Sequence, residues 1–249
     1  MADAPLSPLL SPLLSLTGVH THIEHYHILQ GVDFAVPKGE LTMLLGRNGA
    51  GKTTALRTIL GLWRASSGSI RFEGRELTPL DTPAIAALGI AYVPESMGIF
   101  AGLTVRENLL LAARSGPLSE ERLEWIFRFF PPMKKFWELP AGNLSGGQKQ
   151  MLAISRAVVE PRKLVLIDEP TKGLAPAIIH NLVEALGELK RTGTTILMVE
   201  QNFHAARSLG DSVAVMDAGR IVHTGRMANL AADEALQTRL LGLSLEAHQ

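Results

Sequence analysis

The segment "GRNGAGKTT", residues 46–54, carries the most specific chemical signal in the chain. It fits the pattern G-x-x-x-x-G-K-[ST] and lies between a buried apolar run and a helical pattern, which is the context that a phosphate-binding loop requires. Glycines let successive backbone N–H groups converge on phosphate oxygens, and the positive end of the helix dipole supports them. We expect Lys52 to bind the β- and γ-phosphates and Thr53 to bind Mg²⁺. The predicted nucleotide-contacting residues of this loop are Gly46, Arg47, Asn48, Gly49, Ala50, Gly51, Lys52, Thr53 and Thr54.

A pair of acidic residues ends the apolar run "LVLIDEP", residues 164–170. Ligands of α/β folds bind at the carboxyl ends of the strands, so both carboxylates are expected beside the phosphate loop. We assign Mg²⁺ binding to Asp168 and polarisation of the attacking water to Glu169. An acid pair that merely faces solvent is the alternative, and the phosphate loop makes it the weaker one.

A second Gly-rich helix start occurs in "NLSGGQKQ", residues 143–150. A serine and two glycines at a helix start form another anion cradle. Because one phosphate loop already serves the chain's own nucleotide, we expect this cradle to contact a nucleotide held by another subunit. Its residues are Ser145, Gly146, Gly147 and Gln148.

The elements that position these motifs alternate between strand and helix patterns. Short apolar runs over residues 14–36 predict antiparallel strands, and the later strand runs are separated by amphipathic helices. The prediction is an α/β fold with a mostly parallel sheet, an N-terminal antiparallel β subdomain and a helical subdomain at about residues 96–160. One domain is expected over residues 14–249. The proline-interrupted start of the chain, residues 1–13, is expected to be a flexible leader rather than a signal peptide.

Composition narrows the class of protein further. The chain has 249 residues, of which 46% are hydrophobic, so global disorder is excluded. It has 24 Lys+Arg and 24 Asp+Glu residues and therefore no basic surplus that would call for nucleic acid. No cysteine is present, which rules out disulfides and thiolate metal sites. No apolar run is long enough to span a bilayer, so any membrane association is expected to come from a partner.

Together, "GRNGAGKTT", "LSGGQ" and "LVLIDEP" make the sequence resemble the ATP-binding subunits of ABC transporters, from about residue 14 onward. The resemblance implies a P-loop NTPase core that binds ATP and Mg²⁺ and hydrolyses ATP through Glu169. It also implies a dimer in which each ATP lies between the phosphate loop of one subunit and residues 145–147 of the other. Dimer closure would drive two membrane permeases at the cytoplasmic face of the membrane.

Four positions depart from the general family pattern. Glu95 stands where a glutamine usually reaches Mg²⁺ and water, Ala175 where an aspartate contacts the dimer partner, and Gln201 where a histidine contacts the γ-phosphate. Counting back from Gly46, the position of the adenine-stacking aromatic falls on Ile23. His22 and Tyr26 are neighbouring candidates for that role.

At these positions the sequence resembles one branch of the family. That branch is the smaller ATPase of branched-chain amino-acid importers or of related importers for urea and amides. The branch normally pairs two different ATPases and receives its solute from an extracytoplasmic binding protein. Glu95 favours the amino-acid branch, because the urea-type branch tends to keep glutamine there. Glu95 and Gln201 are therefore retained as candidate catalytic residues, with Glu95 also a candidate Mg²⁺ ligand.

Several alternatives stay open from the sequence. A soluble ABC-type ATPase of DNA repair or translation is disfavoured because the chain has neither a long coiled-coil insertion nor a second ATPase domain. A subunit that binds ATP without hydrolysing it is disfavoured by Glu169. The apolar loop at residues 96–105 is expected to receive a permease helix, with core packing as its alternative. The histidines between residues 20 and 27 are expected to be solvated or near adenine rather than to bind metal.

Overall fold

A computed structural model describes residues 12–114 and 116–242. Two sheets organise it. The strands are β1 (Leu14–Ile23), β2 (Tyr26–Val36), β3 (Leu41–Leu45), β4 (Ala65–Phe72), β5 (Arg75–Glu76), β6 (Ile90–Val93), β7 (Leu164–Asp168), β8 (Thr195–Val199), β9 (Ser212–Asp217) and β10 (Arg220–Arg226). The helices are α1 (Lys52–Ile59), α2 (Thr82–Ala87), α3 (Val105–Ala112), α4 (Glu120–Phe129), α5 (Pro131–Lys135), α6 (Gly146–Val158), α7 (Pro176–Arg191), α8 (Phe203–Leu209), α9 (Met227–Ala232) and α10 (Glu234–Leu241).

The larger sheet has the strand order β10-β9-β3-β8-β7-β6. Strands β9, β3, β8, β7 and β6 run parallel, and β10 pairs antiparallel with β9 through a hairpin. The smaller sheet is antiparallel and has the order β2-β1-β4-β5. The predicted fold class, a mostly parallel core sheet with an N-terminal antiparallel sheet, is confirmed.

Side-chain alternation along the central strands builds two cores on opposite faces of the larger sheet. Val165 and Ile167 of β7 join the cluster that includes Phe130 and residues of α3 to α6. Leu164 and Leu166 of the same strand join the cluster that includes α1 and the smaller sheet. Strands β3, β7 and β8 are buried along their whole length, which explains their uninterrupted apolar sequences.

Helices α3 to α6 occupy the chain between β6 and β7, within the predicted helical subdomain of residues 96–160. Helices α4 and α6 begin with side-chain caps. Ser119 accepts a hydrogen bond from the Arg122 N–H, and Ser145 forms a reciprocal capping box with Gln148. The short helices α2, α9 and α10 were not predicted from the sequence pattern.

The described residues include the last two of the predicted leader, residues 12 and 13. Leu13, assigned to the flexible leader, is buried at 3% exposure, and its N–H donates to Val36 O at 2.9 Å. An apolar side chain directly before β1 gains more from the core than from solvent, so the packed structure includes this residue. The rest of the leader up to residue 11 lies outside the described residues.

Candidate functional site

The phosphate loop connects β3 to α1 and can be formed only with glycine at its first position. Gly46 has φ 148°, and a Cβ added there would lie 2.1 Å from the Met216 carbonyl oxygen. The loop therefore passes directly over β9. At its other end, a Cβ on Gly51 would lie 3.2 Å from Leu29 Cδ2, so β2 of the smaller sheet borders the loop as well.

Lys52, the first residue of α1, lies inside this loop and is 5% exposed. Its ammonium group donates to Gly46 O at 2.8 Å and to Arg47 O at 3.0 Å. Burial lowers the pKa of Lys52, while the carboxylates of Glu169 and Asp168 act in the opposite direction. The ammonium group is thus held where the loop backbone closes around it, close to two acids.

Thr53 and Asp168, both expected to bind Mg²⁺, are in contact with each other. The Thr53 hydroxyl donates to Asp168 Oδ1 at 3.2 Å, and the Tyr92 hydroxyl donates to Asp168 Oδ2 at 3.4 Å. Asp168 is fully buried at the end of β7, and this burial raises its pKa. Burial and the neighbouring Asp168 raise the pKa of Tyr92 to about 12, so its hydroxyl stays a donor. Tyr92 was not singled out from the sequence.

Glu169 lies one residue further along, with its backbone in a left-handed conformation at φ 47°. This conformation is uncommon for a residue other than glycine and is found often at functional sites. The Glu169 N–H donates to Val199 O at 2.9 Å, and its side chain is 10% exposed. Glu169 therefore adds a second, largely buried carboxylate at the sheet edge where Asp168 lies.

Both carboxylate oxygens of Glu169 have side-chain partners, one from its own loop and one from the segment after β8. The side-chain amide of Gln201 donates to Glu169 Oε1, and the Lys172 ammonium lies 3.5 Å from Glu169 Oε2. Lys172 also contacts Glu95 Oε1 at 2.6 Å. The structure thus brings Glu95, Glu169 and Gln201 together, and Lys172 is a further member of the group that the sequence reasoning did not find.

The predicted second cradle lies at the start of α6. Ser145 and Gly146 are exposed, and the Ser145 hydroxyl accepts from the Gln148 N–H while Gln148 Oε1 accepts from the Ser145 N–H at 2.9 Å. A Cβ on Gly147 would lie 3.3 Å from the Ile178 side chain of α7. The cradle faces solvent in this chain. None of its described hydrogen bonds joins it to the phosphate loop.

The adenine-side candidates lie at the β1–β2 hairpin. Ile23 pairs with Tyr26 at its tip; Ile23 is half-buried and Tyr26 is 70% exposed. His20, His22 and His27 stack on this hairpin, with ring centroids 4.2 Å apart for His22 and His27. Across residues 12–114 and 116–242, no group of three or more His, Cys, Asp or Glu side chains could hold a metal ion. The assignment of adenine stacking to Ile23 stays a prediction.

Residues 29–172 match the family model described as "ABC transporter". The chain belongs to the ABC transporter family. Its 40% identity to the "High-affinity branched-chain amino acid transport ATP-binding protein BraG" of Pseudomonas aeruginosa covers 92% of this chain and all of that protein. A "Probable branched-chain amino acid transport ATP-binding protein LivF" of Archaeoglobus fulgidus is 34% identical over 93% of this chain and 99% of that protein.

The fold of this ABC protein is also that of solved ATP-binding cassettes. A crystal structure of the ADP conformation of such a cassette superposes with a TM-score of 0.77 at 27% identity, covering 94% of this chain and all of the other. The chain is therefore an ABC-type ATPase that binds ATP and couples its hydrolysis to transport. Among the described residues of this ABC subunit, no helix is sufficiently long and apolar to cross a membrane.

Proposed function

We propose that this chain is the ATPase subunit of an importer for branched-chain or other hydrophobic amino acids. The observation that carries the proposal is the 40% identity to BraG along the entire length of that protein. Three departures from the general family pattern support the same assignment, because at these positions the sequence resembles this branch. They are Glu95, Ala175 and Gln201.

ATP would be held by the phosphate loop of residues 46–54. The N–H groups of the loop and the start of α1 face the β- and γ-phosphates, and Lys52 exchanges its contacts with Gly46 O and Arg47 O for phosphate oxygens. Closure over the nucleotide uses Ser145, Gly146 and Gly147 of the opposing subunit, whose exposed cradle is available for this contact.

The residues present fit a Mg²⁺ ion at the Thr53–Asp168 pair. A hydroxyl and a carboxylate 3.2 Å apart at the phosphate loop are hard oxygen donors, and Mg²⁺ is usually held by one or two protein groups together with phosphates and water. Glu95 is a further candidate ligand through water. When bound, Mg²⁺ would neutralise charge on the β- and γ-phosphate oxygens.

Hydrolysis would depend on Glu169. Its carboxylate accepts a proton from the water that attacks the γ-phosphorus as the bond to the bridging oxygen breaks, releasing ADP and phosphate. Gln201 holds Glu169 Oε1 by its amide and can donate to the γ-phosphate, but it cannot supply a positive charge. We therefore expect turnover to be slower in this subunit alone than in the complete assembly.

The assembly would contain a second, different ATPase and two permeases, with this chain at the cytoplasmic face of the membrane. The loop at residues 96–105 is the proposed permease contact. Phe100 is 46% exposed there, while Met97, Ile99 and Leu103 are half-buried; Met97 and Ile99 pack on the core. The exposed part of this surface is therefore narrower than the sequence suggested, because the loop packs its other apolar residues inward.

Reconstitution in proteoliposomes tests the proposal. The chain is combined with two permeases, a second ATPase and a solute-binding protein, the partners that the proposal assigns to it, and uptake of leucine is compared with uptake of urea. Leucine uptake that requires ATP and is lost when this subunit is omitted supports the proposal. Uptake of urea without leucine would assign the chain to the related importer branch instead.

A further inference from the structure

Glu200 is a buried carboxylate that joins two loops of the site. It follows β8 directly and is 2% exposed, whereas its neighbour Gln201 is exposed. Glu200 Oε1 accepts from the Thr171 N–H at 3.0 Å. Glu200 Oε2 accepts from the N–H groups of Gln201 at 3.1 Å and Asn202 at 3.2 Å.

These hydrogen bonds lie where the pairing of β7 with β8 ends. Strands β7 and β8 pair in parallel as far as Asp168 and Val199, and the Glu169 N–H to Val199 O bond closes the ladder. Beyond this point the backbone segments that follow the two strands separate. The segment after β7 carries Glu169, and the segment after β8 carries Gln201. The carboxylate of Glu200 binds a backbone group of each, so a side chain continues the connection where the strand pairing ends.

The same carboxylate orients the segment downstream. Asn202, whose N–H it accepts, caps α8 by accepting from the Ala205 N–H at 3.1 Å. Gln201 is therefore fixed between a strand on one side and a capped helix on the other. Its side-chain amide then reaches Glu169 Oε1.

A carboxylate is the side-chain group that this arrangement requires. It offers two acceptor oxygens and no donor, and here both oxygens face backbone N–H groups. Burial raises the pKa of Glu200, and the donated hydrogen bonds oppose that shift. Glutamine has nearly the same shape but only one acceptor oxygen, and its NH₂ group would face N–H donors.

We propose that Glu200 is a positioning residue for ATP hydrolysis, which holds Gln201 against Glu169 by binding the backbone N–H groups of both loops. This inference rests on the proposed function, because it assigns to Glu200 a part in that reaction. In this role Glu200 acts through the geometry of Gln201 rather than by contact with the nucleotide or the attacking water.

The first experiment measures the hydrogen bonds themselves in the nucleotide-free chain. Amide hydrogen exchange is compared between the parent chain and Glu200→Gln. We expect exchange at Thr171, Gln201 and Asn202 to accelerate at least about tenfold, while α1 and β3 keep their protection. Unchanged exchange at those three amides would overturn the proposal.

The second experiment measures ATP turnover in the assembled transporter. Glu200→Gln is expected to lower kcat about tenfold, within the range that small misplacement of a catalytic group produces, and to change KM less than about twofold. In a Gln201→Ala background the same substitution should lower kcat less than about threefold, because the Gln201 side chain through which Glu200 acts on Glu169 is gone. An equal loss in both backgrounds would show a general structural effect and refute the inference.

The matched control is Glu76→Gln. Glu76 also uses a carboxylate to accept backbone N–H groups, those of Ile70 at 2.9 Å and Thr78 at 3.4 Å, but it lies on β5 of the smaller sheet. The Glu76→Gln substitution should leave kcat unchanged. If Glu200→Gln does not fold, Glu200→Asp takes its place in the same comparison with Gln201→Ala, because its carboxylate is one methylene shorter and withdraws from the three N–H groups; a kcat equal to the parent's would refute the inference. Failure of the proposed function has a different signature, namely a parent assembly with no ATP turnover at all.

Discussion

Lys172 is expected to offset the negative charge that Glu95 adds to the nucleotide site. Its ammonium lies 2.6 Å from Glu95 Oε1 and 3.5 Å from Glu169 Oε2. The hydrogen bond to Glu95, followed by the charges of Glu169 and Glu95, raises the pKa of Lys172, so the group stays cationic at neutral pH. With Lys172→Met, the phosphates of ATP would meet an unbalanced Glu95 carboxylate.

The size of the effect follows from the exposure of the pair. The side chains of Lys172 and Glu95 are 61% and 45% exposed, and such ion pairs contribute little, at most about fivefold in an equilibrium constant. The contact with Glu169 adds to this, because that side chain is only 10% exposed. We therefore expect Lys172→Met to lower kcat/KM for ATP about five- to tenfold.

A double-mutant cycle tests this explanation. In a Glu95→Gln background, where only the contact with Glu169 remains, Lys172→Met should lower kcat/KM by no more than about twofold. The control is Lys163→Met, since Lys163 forms a comparable pair with Glu73 at 2.6 Å and side-chain exposures of 55% and 39%. A loss of equal size with and without Glu95 would refute the charge-balancing role, as would an equal loss for Lys163→Met.

Three further outcomes are expected. Gly46→Ala places a Cβ 2.1 Å from Met216 O, so the loop must move, and ATP binding measured by calorimetry should weaken at least about a hundredfold; binding within threefold of the parent's would contradict the geometry. Gln201→His should raise ATP turnover below about pH 6.5, where imidazole is charged, and not at pH 8; no change in turnover or ATP affinity at either pH would remove Gln201 from the mechanism. Phe130→Ala, at a fully buried position, should lower the free energy of unfolding by about 3–5 kcal/mol in urea titrations, and a loss below 1 kcal/mol would show that the helices between β6 and β7 do not share this core.

The strands and the phosphate loop were predictable because their signals are local. Strands β3, β7 and β8 are buried on both faces and therefore appear as unbroken apolar runs, and each ends at polar or Gly-rich residues. In contrast, α2 and α9 have six residues each, which is too short for helical periodicity to stand out. Their positions depend on packing rather than on a pattern of their own.

The parts of the site that the sequence missed depend on contacts between distant residues. Lys172 lies 77 positions from Glu95, and Thr171 lies 29 positions from Glu200. From the sequence alone, a lysine after an acid pair and a glutamate at a strand end would be taken for ordinary surface residues, because their partners are distant in the chain. In the sequence, Glu200 is only a polar residue after an apolar run, and its burial and its three N–H donors reveal what it binds.

The central claim is that this chain hydrolyses ATP at its own phosphate loop through Glu169. ATP turnover of the assembled transporter with Glu169→Gln in this subunit alone tests it, with Glu184→Gln, 60% exposed on α7, as the control. We predict that Glu169→Gln lowers turnover by at least about tenfold and keeps ATP binding, since a general base contributes about 10²- to 10⁴-fold and the second ATPase can retain some activity. Turnover and transport equal to those of the parent assembly would contradict the claim and show that this site is dispensable.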